Sequence, residues 1–190
     1  LVLAGGLYAA WWFGLLPDRF YGGDHGDYYD DPDYYYYYGE LDESAEPELP
    51  VVSADDGVRL VYADGHGDAL TIQEIYRRVN PSTVTVVTEL PRGASVGTGV
   101  ILTEDGYIVT NAHVIADGQS VLVVLADARQ YEAELVGFDS AEDLAVLKAV
   151  DAEDLPTAVL GDSDECWVGD TVYAIGNPLG VELRGTLTQG

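Results

Sequence analysis

The chain is poor in cations. Eight Lys and Arg stand against 34 Asp and Glu, a formal net charge of −26 over 190 residues. Phosphate backbones are gripped by clustered Lys and Arg, so this deficit excludes nucleic acid as a partner. It also disfavours docking on an anionic lipid surface. Much of the excess lies in residues 18–56, where it describes a solvated, self-repelling segment more than a folded domain. Cysteine is nearly absent too. Cys166 stands alone, which rules out an intrachain disulfide and a cysteine-based metal site. Its neighbours Asp162, Asp164, Glu165 and Asp170 are acidic, the opposite of the electropositive setting in which thiolate nucleophiles act. Methionine is missing altogether and the first residue is Leu1, so the sequence reads as a segment of a longer frame.

What is present falls into three regions. Residues 1–17, LVLAGGLYAAWWFGLLP, hold no charge. Their length is at the lower edge of a membrane span, and Tyr8, Trp11 and Trp12 suit an interfacial aromatic belt. A cleaved signal peptide would need a short apolar core and a small-x-small site, but here the apolar run continues past Ala9 and Ala10 to Leu16. The segment is therefore expected to be an uncleaved, single-pass anchor. Residues 18–68 are acidic and rich in Tyr and Gly, with the run Tyr34–Tyr38. They bury too little apolar area to offset chain entropy and are expected to form a disordered linker. Arg19 and Arg59 are their only cations. That sparsity suits the non-cytoplasmic side of a membrane. His25 and His66 lie in Gly-Asp-His-Gly-Asp and Asp-Gly-His-Gly-Asp contexts, and flexible acidic loops do not hold ligands at metal-binding distances.

From residue 69 the pattern is that of a folded domain. Thr71 followed by Glu74 is a capping box, and Leu70, Ile72, Ile75, Tyr76 and Val79 recur at helical spacing until Pro81 stops it. Short runs rich in Val, Ile, Thr and Tyr follow at 83–88, 97–102, 107–111, 120–125, 131–138, 144–150 and 171–175, with turns such as Glu104-Asp105-Gly106 between them. Many short strands without long helices predict an all-β antiparallel barrel or sandwich. Gly97-Thr98-Gly99 lies inside a strand pattern and signals a bulge or a close backbone approach.

His113 is the one histidine of this domain, placed where the third run ends and Ala112–Ile115 can make one helical turn. An imidazole there can serve as a general base or as a hydrogen-bonded structural residue. Asp143 precedes the apolar run Leu144–Leu147, either to orient a nearby imidazole or to make a turn. Gly161-Asp162-Ser163 imitates a serine-protease nucleophile loop. Asp164 and Glu165 follow it where glycines are needed and would repel an oxyanion, so Ser163 is not read as a nucleophile.

Three stretches settle the alternatives by resemblance. GTGVILTEDGYIVTNAHVI resembles the histidine region of trypsin-like proteases of the HtrA/DegP family, EDLAVLK resembles their aspartate motif, and GDTVYAIGNPLGVELRGTLTQG resembles the start of their second barrel. Order and spacing agree as well. The resemblance implies a chymotrypsin-like double β-barrel, the first barrel at about 82–150 and the second beginning at about 168–190 within a domain spanning 69–190. It implies His113 as general base, Asp143 as its partner, and a serine in a Gly-Asn-Ser-Gly-Gly loop that these 190 residues do not contain, so that they would be inactive by themselves. It further implies ATP-independent cleavage of unfolded or flexible polypeptides outside the cytoplasm for quality control, no metal or organic cofactor, and a homotrimer. Two rival readings are a catalytically dead, membrane-anchored binding module of the same fold, and a Tyr/Asp adhesive segment carried on the barrel.

Overall fold

The computed structural model describes residues 45–55, 58–63, 70–177 and 184–190. The expected anchor at 1–17 and most of the expected linker lie outside the described residues. Among those described, no helix is long and apolar enough to cross a membrane.

Helix α1, Ile72–Val79, begins as its sequence dictates. Thr71 accepts from the Glu74 backbone N–H, and the Glu74 carboxylate accepts from that of Thr71, so the capping box is closed in both directions. Arg77 and Arg78 sit in its last turn, where cations favour the helix C-terminus. Asn80–Ser82 then form a 3-10 turn around Pro81.

Six strands follow: β1 Thr83–Glu89, β2 Ala94–Ile101, β3 Tyr107–Thr110, β4 Ser120–Val124, β5 Gln130–Asp139 and β6 Leu144–Ala149. A single helical turn, α2 Ala112–Ile115, separates β3 from β4. The strands close in the order β1-β2-β3-β6-β5-β4, and every pairing is antiparallel. The expected all-β barrel is thus what forms. Closure removes the exposed edges an open sheet would leave. Val84, Val86, Ile101, Ile108, Val121, Val123, Leu135, Leu147 and their neighbours fill the interior. Each such side chain contributes about 1.5–3 kcal/mol by leaving water.

β1 is buried on both faces, which its run of β-branched residues already suggests. Val84 and Val86 point into the barrel, while Thr85 and Val87 on the other face are at most 1% exposed. There β7, Tyr173–Gly176, packs against β1. β7 pairs antiparallel with β8, Thr186–Gln189, in a separate two-stranded sheet. The backbone N–H of Asn177 donates to the Thr98 hydroxyl, and that of Gly185 to the Asn177 side-chain oxygen. Gly185 has φ +70, and a β-carbon there would meet Asn80 Oδ1 at 2.7 Å. Only glycine lets β8 approach the end of α1 so closely.

Part of the segment expected to be a linker lies among the described residues. Its described residues 48–55 and 58–63 lie along the barrel as a strap. Val51 bridges Leu135 in parallel, with Val52 N–H donating to the Leu135 carbonyl and Leu135 N–H to that of Pro50. Leu49 is 6% exposed and joins the barrel core. Further on, Tyr62 bridges Leu160. The Asp55 backbone N–H donates to the Tyr107 hydroxyl at 2.7 Å. Acidic composition concealed this because strand addition uses backbone groups, and one buried leucine suffices to fix the register.

Candidate active site

The register of two strands builds the site. β3 and β6 are neighbours, and Thr110 faces Ala145 across their ladder. In an antiparallel pair, residues just after one strand lie beside residues just before the other. Continuing past Thr110 therefore brings Asn111–His113 to the segment preceding Ala145, which contains Asp143. Both come to the same rim of the barrel although 30 residues separate them.

α2 holds His113 in place. Ala112, Val114 and Ile115 are buried, so the turn is pinned by its flanks while His113 points to the rim. The pinning needs Gly97. A β-carbon there would lie 2.9 Å from Val114 Cγ1 and still nearer to Cγ2, so β2 leaves the space into which Val114 packs. The Gly-Thr-Gly segment is thus a close backbone approach rather than a bulge; the neighbouring β2 ladders run without a register shift.

Asp143 follows the turn after β5 and has φ +52, in the left-handed region that Asp tolerates better than most residues. Its carboxylate takes three kinds of donor. His113 Nδ1 lies 2.9 Å from Oδ2 and 3.0 Å from Oδ1. The backbone N–H of His113 donates to Oδ1 at 3.0 Å. Nδ2 of Asn111 donates to Oδ2 at 3.0 Å and also to the Asp143 carbonyl at 3.1 Å. Partial burial pushes the carboxyl pKa up, but the His113 backbone N–H, the His113 ring and the Asn111 amide outweigh it and hold it below the ordinary carboxylate value. An ionised carboxylate only accepts, so Nδ1 carries a proton, and in the neutral imidazole the free lone pair is then on Nε2. The side chains are 30% and 43% exposed, which leaves the imidazole accessible from the rim. This is the arrangement a general base needs: correct tautomer, a fixed ring and a negative charge to stabilise the imidazolium.

Of the residues singled out from the sequence, His113 and Asp143 are brought together. Ser163 lies in an exposed 3-10 turn, Ser163–Glu165, in the connection between β6 and β7. There the Asp162 side chain accepts from the Asp164 N–H, an ordinary turn bond. Cys166 is exposed and free. His25 and His66 lie outside the described residues. Asn111 was missed as a partner of the pair; its only sequence signal is its place at the start of the helical turn that carries His113.

Residues 97–190 match the family described as the trypsin-like peptidase domain. The chain is similar to a probable periplasmic DegP-like serine endoprotease of Halomonas elongata, 54% identical over 88 residues, covering 46% of this chain and 18% of that protein. It is also similar to the protein of the same description in Rickettsia conorii, 35% identical over 158 residues, 82% of this chain and 31% of the relative. Among solved structures, the HtrA-type protease AlgW with tripeptide superposes with a TM-score of 0.59 at 38% identity, over 64% of this chain and 39% of that one. The chain thus spans a third or less of the length of these curated relatives.

Proposed function

We propose that this chain, which is similar to DegP-like serine endoproteases and to HtrA-type proteases, supplies the base half of a serine endopeptidase. His113 accepts the proton of a serine hydroxyl as it attacks a peptide carbonyl, then returns it to the leaving amine. Asp143 holds the imidazole and stabilises its charged form. The observation that carries this reading is the contact of His113 Nδ1 with the Asp143 carboxylate at 2.9 Å, made while the His113 N–H binds the same group. Polypeptides with exposed, flexible segments are the substrates, by analogy with relatives whose names describe endoproteases.

The oxyanion-hole and nucleophile loop, Gly-Asn-Ser-Gly-Gly in the family, does not occur in the 190 residues. Accordingly they do not cleave peptide bonds by themselves. The protein acts outside the cytoplasm in protein quality control, tethered by residues 1–17, and the domain of 69–190 works as part of a trimer. The uncharged apolar run supports the tether, and the word periplasmic in the relatives' names supports the compartment.

The test is degradation of casein by the full-length protein. Activity should fall about 10⁴-fold in both His113→Ala and Asp143→Asn. Wild-type activity in His113→Ala would reject the reading. Extraction of the full-length protein by alkaline carbonate tests the anchor: an integral span stays with the membrane, and release into the supernatant contradicts it.

A further inference from the structure

Asn111 occupies the N-cap of α2, where an Asn side chain ordinarily accepts a bond from the helix backbone. Here it makes no such bond. Its carboxamide instead crosses to the β5–β6 connection, and both bonds of Nδ2 end on Asp143, at the carbonyl and at Oδ2. A carboxamide nitrogen has two protons, so this donor's capacity is used up on one residue. Asp143 is also in the left-handed backbone region, which is costly for a residue with a side chain unless its surroundings hold it there.

We propose that Asn111 is a positioning residue for the His113–Asp143 pair. It pins the Asp143 backbone and one carboxylate oxygen together, so that both oxygens stay within reach of His113 Nδ1. This rests on the reading of His113 as general base. The bonds are solvent-exposed. Their effect is therefore on the alignment of the pair more than on folding. The donor set of Asp143 is divided: His113 supplies a ring N–H and a backbone N–H to the carboxylate, and Asn111 also holds the carbonyl of the peptide from which the carboxylate extends.

The experiment compares Asn111→Ala and Asn111→Ser in the full-length protease. Serine keeps the N-cap preference of asparagine, adds no charge beside Asp143, and has a hydroxyl too short to reach across as the carboxamide does. A residue that served only to start the helix would tolerate it. As a positioning residue, it should lose about ten-fold in kcat in both variants, with KM and Tm unchanged. The low-field proton resonance of the His113 ring, visible when Nδ1–H bonds a carboxylate, should move upfield or vanish in both. Wild-type kcat and an unmoved resonance in Asn111→Ser would overturn the proposal. So would a loss of kcat that merely tracks loss of folded protein, with the resonance unmoved in what remains folded. His113→Ala, assayed alongside, separates two failures. Activity retained there rejects the catalytic reading itself, whereas activity lost there with both Asn111 variants normal rejects only the positioning role.

Discussion

At the scale of single residues, the account depends on a carboxylate held ionised beside an imidazole. Asp143 is below its ordinary pKa in the folded state. A depressed carboxylate contributes stability that is fully present above the unfolded-state value of about 4 and is lost as pH falls through the folded value. Asp143→Asn removes that contribution at every pH. The Tm difference between wild type and Asp143→Asn should therefore narrow as pH is lowered below 4, measured by thermal melts across pH 2.5–7 (about the range in which carboxylates titrate). A difference that widens in acid would mean Asp143 is not stabilised in its charged form. His113 and Asp143 were both legible in the sequence, though only through the strand pattern around them. Asn111 was not, because an Asn before a helical turn reads as a cap, and nothing in one sequence says that its side chain crosses to a residue 32 positions away.

Elements come next. The start of α1 was legible, since its capping box is a local reciprocal bond that needs no tertiary context. Thr71→Ala should lower stability by about 1 kcal/mol, read from the denaturant midpoint. The strands were legible from β-branched runs and their turns, with β2 starting three residues earlier than expected at Ala94. That early start is a hairpin effect: the ladder with β1 continues through Ser95 and Ala94 to Glu89, where apolar patterning no longer marks it. Gly97 connects strand to site. Gly97→Val would displace Val114 and with it the turn bearing His113. The expected outcome is a destabilised protein, by about 1–3 kcal/mol, that loses activity beyond what its folded fraction explains. An unaltered Tm and activity would show that β2 can yield.

On the scale of the whole molecule, the barrel order was implied only by resemblance, because periodicity identifies strands and not their partners. The pairing of residues 48–55 and 58–63 with the barrel was not legible in composition. Net charge reports how a segment meets water and is silent about backbone pairing, and here the hydrogen bonds with Leu135 and Leu160 do the holding. Leu49→Ala should then cost about 2 kcal/mol, seen as a lower Tm of the full-length protein. No change would show that Leu49 does not anchor this segment to the core. Val51 of the strap pairs with Leu135 on β5, the strand whose far end leads into the turn that contains Asp143.

The central claim is that His113 activates a serine by drawing on Asp143. Labelling of the full-length protein by a fluorophosphonate probe tests it most directly, since the probe reacts only with an activated serine and requires no knowledge of the substrate. The account predicts rapid labelling of the wild type and its loss in His113→Ala, with the variant still folded by thermal melt. Labelling at the wild-type rate in folded His113→Ala would contradict it.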